Sequence, residues 1–327
     1  MPALRTSIVL CTFNGASFLE PQVASLFAQE HAPDEIVAVD DASVDGSFAL
    51  LEELSSHSPV PMCVYRNEAT LGAARNFERA IALARGDVIF LCDQDDVWSP
   101  GKTRTLIAPF ESDERVMLVH SDAALVDAEL RPLGVSLFQA LGLSERERTL
   151  EDRSRAFEVL LKRSIVTGAT AAIRRDVIEW AVPFPPEWLH DEWLAVIASL
   201  RGRLIRIDRP LIRYRQHGAN QIGAQRRGIV EKLKFVLANG GDYQRRKLAR
   251  MRHLRARLSE LAAEPAALRL TERTLEHAGA RASLSAARWL RIPTVLRELV
   301  NLHYFRYSSG WTSAIRDLVG PIDSELR

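Results

Sequence analysis

The chain has 327 residues, 47% hydrophobic and 26% charged, an ordinary globular composition long enough for one large α/β domain with an appendage. No apolar run approaches the roughly 20 residues a membrane-spanning helix needs, and a disulfide or zinc framework is excluded, since Cys11, Cys63 and Cys92 are odd in number and widely spaced. The net charge of +1 conceals a division: from Arg226 on, 20 basic residues stand against 10 acidic ones, leaving 23 against 32 before it, about −9 in front and +10 behind.

The stretch from Met1 to Arg5 leads into a strand-like segment without a signal-peptide pattern, and the three cysteines are expected as buried free thiols in a reducing cytoplasm. Ser7 to Cys11 reads as a buried strand. Ser17-Phe18-Leu19-Glu20 has the spacing of a capping box, opening a helix with Leu19, Val23, Leu26 and Phe27 on one face. Glu35 to Val39 is a second strand, Phe48, Leu51 and Leu54 mark a helix, and Cys63 to Tyr65 is a short strand. Phe77, Ile81 and Ala84 mark a third helix stopped at Gly86, followed by a strand from Asp87 to Cys92. Such alternation predicts a mostly parallel sheet. Further strands are expected at Val116 to His120, Val166 to Ala172 and Leu204 to Ile207, with a helix from Trp193 to Leu200 between the last two. After Gln225 the texture becomes Arg-rich and helical, with Leu248, Met251, Leu254 and Leu258 on one face. A domain boundary is expected between Ile222 and Gly228.

Four segments concentrate chemistry. Asp40-Asp41 follows a buried strand, where parallel sheets bind ligands; helix capping by Ser43 or Asp45 explains one acid there but not a doublet. Asp93-Gln94-Asp95-Asp96, followed by Trp98 and Pro100, ends another buried strand. Carboxylates at i and i+2 on a turn converge and repel unless a cation lies between them, and such hard oxygen ligands suit Mg²⁺ or Mn²⁺ held jointly with substrate phosphates. His190-Asp191-Glu192 opens a helix after the Pro-rich stretch from Val182 to Pro186; these acids either complement the helix N-terminus or supply a general base. The loop from Tyr214 to Asn220 carries His217, a solvated side chain or a metal ligand. Gly101-Lys102-Thr103 imitates the end of a P-loop, but Asp96 occupies the position that requires glycine.

Together SIVLCTFNG, VDDASVDGS, NEATLGAARNFERAIALARGDVIFLCDQDDVW, VTGATAAIRR, HDEWLA and YRQHGANQIG, spread over roughly residues 5 to 225, resemble glycosyltransferase family 2. Within it they are most similar to the bacterial rhamnosyltransferase-like group of surface-polysaccharide enzymes. The resemblance implies a GT-A fold, a Rossmann-like, mostly parallel sheet flanked by helices, over residues 1–225, with a basic helical C-terminal region over 226–327. It implies that Thr12 and Asn14 line the nucleotide pocket, that Asp41 reads the pyrimidine ring, and that Arg75 and Asn76 touch the donor. Asp93 and Asp95 would hold the cation on the diphosphate with Asp96 and Trp98 in support, and His217 would approach the metal. Gly168 and Thr170 would border the acceptor cleft. Asp191 matches the usual base; because His190 replaces the Glu common before it, Glu192 stays a rival.

The activity implied is inverting transfer of a sugar from a nucleotide-diphosphate donor, dTDP-L-rhamnose ahead of UDP-hexoses, to a glycan or lipid-linked acceptor in the cytoplasm. A nucleotidyltransferase would carry a Gly-rich loop where Thr12-Phe13-Asn14-Gly15 stands. A nucleic-acid-binding protein could use the basic tail, but no recognised motif supports nucleic acid as a partner. The tail is expected instead to dock on an anionic membrane or a lipid-diphosphate acceptor, through Trp289, Leu290, Tyr304, Phe305 and Trp311 interleaved with Arg288, Arg291 and Arg306, or else to pack those aromatics on protein.

Overall fold

A computed structural model describes residues 4–217 and 240–320. The chain divides into two compact units, Met1–Leu160 with Ser164–Gln225, and Leu161–Arg163 with Arg226–Arg327. The stretch between Ile222 and Gly228, where the sequence suggests a boundary, lies outside the described residues.

The first unit opens β1 (Thr6–Thr12), α1 (Ala16–Phe27), β2 (Glu35–Asp40), α2 (Ser47–Ser56), β3 (Met62–Arg66), α3 (Ala73–Leu83), β4 (Val88–Asp93), β5 (Val97–Trp98) and α4 (Lys102–Ser112). It continues through β6 (Val116–Val126), β7 (Pro132–Ser136), α5 (Leu137–Leu141), α6 (Glu145–Asp152), α7 (Ala156–Leu160), β8 (Ala171–Arg174), α8 (Asp176–Ala181), α9 (His190–Arg201) and β9 (Arg203–Arg215). The sheet order is β3-β2-β1-β4-β8-β6-β9-β5, with β7 on β6. Strands β3, β2, β1 and β4 pair in parallel, β8 joins β4 to β6 antiparallel, and β6 and β9 pair in parallel again.

Burial follows position in the sheet. All seven residues of central β1 are buried, whereas edge strand β3 is only partly covered, as expected when helices cover both faces of the central strands. Ile8, Leu10, Phe90 and Cys92 from the strands meet Leu19, Val23 and Leu26 of α1 in the core. Because β2 lies on one side of β1 and β4 on the other, the strand order reverses beside β1. The loops after β1, β2 and β4 therefore leave one end of the sheet around a common crevice.

Several expectations need correction. Ser17 does not form a capping box: α1 starts at Ala16 with Gly15 as N-cap and no side-chain cap bond. Its end is satisfied from the neighbouring loop instead, Gly15 N donating to Ser47 Oγ at 2.9 Å and Ala16 N to Asp45 Oδ2 at 3.0 Å. Val166 to Ala172 is not one strand, since Gly168–Thr170 coil into a 3₁₀ turn before β8 begins at Ala171. Strand β9 runs to Arg215, well beyond Ile207, passing Pro210 at a point where its register against β6 shifts, which is how a ladder tolerates proline. Cys63 is exposed, although Cys11 and Cys92 are buried.

The second unit is helical: α10 (Gly240–Glu260), α11 (Pro265–Ala282), a 3₁₀ turn (Arg288–Arg291), α12 (Ile292–Val300), α13 (His303–Tyr307) and α14 (Trp311–Val319). Met251, Leu254 and Leu258 are buried along α10. Around α12 to α14 the apolar centre is small, Leu284, Val295, Tyr304 and Ala314, and buried polar groups fill out the interior. Arg281 pairs bidentately with Asp317 at 2.6 and 3.0 Å, and Tyr304 Oη donates to Asp317 at 2.7 Å. Arg291 donates to the carbonyls of Ser285, Ala286, Asp317 and Gly320. Arg291 and Tyr304 therefore face inward, contrary to the expectation that both join a basic aromatic surface. Among the described residues, no helix is long and apolar enough to cross a membrane.

Candidate active site

The crevice at the carboxyl end of the sheet is a cleft of about 610 Å³, and Thr12, Asp41, Asn76, Asp93, Asp95, His190, Asp191 and Glu192 line it. All four segments that the sequence singles out thus reach one cavity, the fourth through Tyr214 rather than through His217.

The turn after β4 is held from two sides. Gln94 clasps the backbone of Phe13, accepting from its N–H at 2.8 Å and donating to its carbonyl at 3.1 Å. Glycine at 15 leaves room for this clasp, because a Cβ there would lie 2.2 Å from Gln94 Oε1 and push the side chain away. On the other side, Arg215 donates its N–H to Asp96 Oδ1 at 3.0 Å and its Nε–H to the Asp95 carbonyl at 2.7 Å. The overlong β9 thereby delivers His217, stacked on Phe18, to within 2.8 Å of Asp95 Oδ2. The rest of that loop motif, Gly218 to Asn220, lies outside the described residues.

Electrostatics at this turn are unfavourable for the protein alone. Burial, then Asp95 and Asp191, pushes Asp93 up to about 7. Burial, reinforced by Asp95 and Asp93, raises the carboxyl of Asp96 well above the usual range, and Asp96 Oδ2 has no hydrogen-bond partner among the described residues. Mutual repulsion between desolvated carboxylates is what a bound cation relieves. Asp93, Asp95 and His217 are donors of the chemical kind that suits Mg²⁺ or Mn²⁺, although here their ligand atoms do not all lie within 4.8 Å of one another, as those of His277, Glu298 and His303 do.

Opposite this turn, Asp191 stands in the first turn of α9. Its Oδ2 accepts from Gly168 N at 2.9 Å and its Oδ1 from Glu192 N at 2.8 Å, so backbone N–H groups fix the carboxylate. Gly168 is required by proximity, a Cβ there falling 2.8 Å from His190 Nε2. His190 stacks on Phe77 with ring centroids 3.8 Å apart, and burial lowers its pKa.

Other expected site residues take different positions. Asp41 is committed to shaping the wall, accepting from Asn67, Leu71 N and Gly72 N. Asn76 ties α3 to β2 by donating to Val39 O at 3.0 Å. Asn14 is not among the lining residues; its side chain accepts from Val44 N. Arg75 lies outside the lining too, paired with Glu78 at 2.6 Å on the surface. Trp98 is packed in the core, and Thr170 is fully buried with its hydroxyl on Thr167 O.

Two residues take places that the sequence reading does not give them. Lys102, fully buried, places its ammonium 3.3 Å from the Trp98 ring and donates to Ala169 O at 2.6 Å; burial lowers its pKa to about 7. The i, i+4, i+8 register of Lys102, Leu106 and Phe110 sets it on the inner face of α4. Tyr214 lines the cleft and follows from strand alternation with Ile212.

Comparisons with known proteins agree with this architecture. A family model described as glycosyl transferase family 2 matches residues 7–180. An uncharacterised glycosyltransferase of Nostoc sp. is 27% identical over 226 residues, 66% of either chain. The uncharacterised glycosyltransferase YwdF of Bacillus subtilis is 36% identical over 130 residues, 38% of this chain and 44% of that one. The chain thus spans less than two-thirds of the length of these two relatives. The dTDP-rhamnosyl transferase RfbG of Shigella flexneri is 27% identical over 234 residues, 66% of this chain and 74% of its own. Among solved structures, residues 1–349 of TarS from S. aureus, in complex with UDP-GlcNAc, superpose with a TM-score of 0.58 at 16% identity, over 96% of this chain and 89% of TarS. With its curled, mostly parallel sheet of the GT-A fold and a family match covering more than half its length, the chain belongs to glycosyltransferase family 2.

Proposed function

We propose that this chain transfers a sugar from a nucleotide-diphosphate donor to an acceptor hydroxyl with inversion, the first unit being catalytic and the second a basic helical appendage. The observation that carries the reading is the pairing, within one cleft, of the Asp93–Asp95 turn with a backbone-fixed carboxylate, Asp191. Asp93, Asp95 and His217 would hold Mg²⁺ or Mn²⁺, which supplies neutralising charge for a departing diphosphate. Thr12, Asp41 and Asn76 form the wall on the β1–β2 side, where a nucleoside fits. Asp191 is the general base: its oxygens accept hydrogen bonds from backbone N–H groups that keep it aimed, and it takes the acceptor hydroxyl proton as the new glycosidic bond forms on the face away from the leaving diphosphate. Glu192, one residue on, points about 100° around the helix and serves acceptor contact.

dTDP-L-rhamnose is the proposed donor, supported by the relative named as a dTDP-rhamnosyl transferase; UDP-sugars are the second choice, supported by the UDP-GlcNAc complex of TarS. A glycan or lipid-linked saccharide is the proposed acceptor. A thermal-shift panel of nucleotide sugars with and without Mn²⁺ tests the donor, since a ligand that binds the native state raises its melting point. Stabilisation by a UDP-sugar and by no dTDP-sugar refutes rhamnose, and full activity in EDTA refutes the metal.

A further inference from the structure

The surface of the second unit between Arg288 and Gly320 is inverted relative to an ordinary soluble helix pair. Helix α12 exposes Ile292, Leu296 and Val300, and α14 exposes Trp311, Ile315 and Val319, each series at four-residue spacing; the turn before α12 exposes Trp289 and Leu290. Val300 is 81% exposed and Trp289 70%. Isolated apolar residues on a surface are unremarkable, but eight of them in register on adjoining elements are not. The inner faces of the same helices carry, beside Val295 and Ala314, the acids of this stretch. Glu298 and Asp317, the two acids between 288 and 320, are both buried. Glu298 accepts from His277 at 2.7 Å and His303 at 2.9 Å, and Asp317 is held by Arg281 and Tyr304. Outside remain Arg288, Arg297 and Arg306, Arg297 lying 3.4 Å from Glu298 while 63% of its side chain stays in solvent.

We propose that the outward faces of α12 and α14, with the Trp289–Leu290 turn, form a surface that docks on an anionic lipid bilayer. Leucine, isoleucine, valine and tryptophan enter the headgroup boundary and the arginines meet lipid phosphates. Charge decides against a second copy as occupant. In a two-fold dimer this patch would face itself, opposing arginines to arginines with no exposed acid between 288 and 320 to pair them. An anionic membrane pairs them all. With no described helix able to span a bilayer, the geometry is that of helices lying in the interface. This inference does not rest on the proposed reaction, and its test needs no activity.

The full chain is floated with vesicles of phosphatidylcholine alone and of equimolar phosphatidylcholine and phosphatidylglycerol at low salt. Flotation is expected with the anionic vesicles only. Leu296→Glu with Val300→Glu, and separately Trp311→Glu, lower the bound fraction about tenfold or more while the circular dichroism and melting point hold. Arg288→Glu with Arg306→Glu abolishes the preference for phosphatidylglycerol. If the glutamate variants lose their circular dichroism, the readout passes to quenching of tryptophan emission by brominated lipids, which falls in Trp289→Phe with Trp311→Phe. The proposal is overturned if the chain stays with neither vesicle, if the variants float like the wild type, if the double Phe variant is quenched undiminished, or if light scattering shows a dimer that Leu296→Glu with Val300→Glu dissociates.

Discussion

The turn after β4 and the helical unit bury acids for opposite ends. In the sheet unit, Asp93 and Asp96 are desolvated beside like charges, and Asp96 keeps an oxygen without a partner among the described residues. In the helical unit, Asp317 has a bidentate arginine and a tyrosine hydroxyl, and Glu298 has two imidazoles. Buried charge that is fully paired fixes a structure, whereas buried charge left in excess costs stability until something of opposite sign arrives. The comparison separates acids that hold the chain together from acids held ready for a ligand.

The largest effect expected belongs to the acid that shares the cleft with that turn. Asp191→Asn should lower turnover on the order of 10²–10⁴-fold while leaving the donor-induced thermal shift and the melting point nearly unchanged, with Glu192→Gln costing much less. Steady-state kinetics beside the thermal shift decide it, and an active Asp191→Asn moves the base elsewhere. Product configuration, read from NMR couplings, should be inverted.

Next come the acids of the first kind. Arg281→Met leaves buried Asp317 with the looser Arg316, 4.0 Å away, as counter-charge and should cost about 3 kcal/mol in urea unfolding; a loss under 1 kcal/mol, roughly that of a surface pair, would erase the contrast. The His277–Glu298 pair adds a pH dependence. Burial lowers His277 from its ordinary 6.5 to about 4, so below 6.5 the unfolded chain binds a proton that the folded one refuses. Hydrogen bonds from the imidazoles lower Glu298 against its burial, which acts in the same sense. Stability should therefore fall as pH drops through that window, by no more than about 3 kcal/mol for His277, and His277→Gln should flatten the curve measured by thermal melts.

The smallest expected effect has the opposite sign. Asp93→Asn removes a carboxylate that is held up near 7 by burial and by its acidic neighbours. It should stabilise the metal-free chain by about 1 kcal/mol above neutral pH while impairing turnover. Destabilisation in EDTA would place Asp93 among the structural acids.

Much of this was legible in sequence because periodicity and strand-end acids are local signals. Strands β1, β2 and β4 follow from apolar runs, those of β2 and β4 ending in carboxylates that mark the Asp40–Asp41 and Asp93–Asp95 turns, and helices α1 and α9 follow from apolar periodicity. What escaped depends on contacts distant in the chain. The cap of α1 comes from Asp45 and Ser47, some thirty residues on. The length of β9 is set by its partner β6 rather than by its own Pro210. Arg291 and Tyr304 read as surface residues until Asp317 and the carbonyls of Ser285 and Gly320 are seen to claim them.

The clasp between Gln94 and Phe13 also constrains how such sequences diverge. A Cβ at position 15 would meet the end of the flexible Gln94 side chain and swing it aside, and a shorter residue at 94 likewise gives up the two bonds that join the β1 and β4 loops. The two sites, 79 positions apart, are therefore mutationally coupled. Once either has changed the clasp is gone, so a change at the other should cost little more, and the double replacement should cost less than the sum of the single ones.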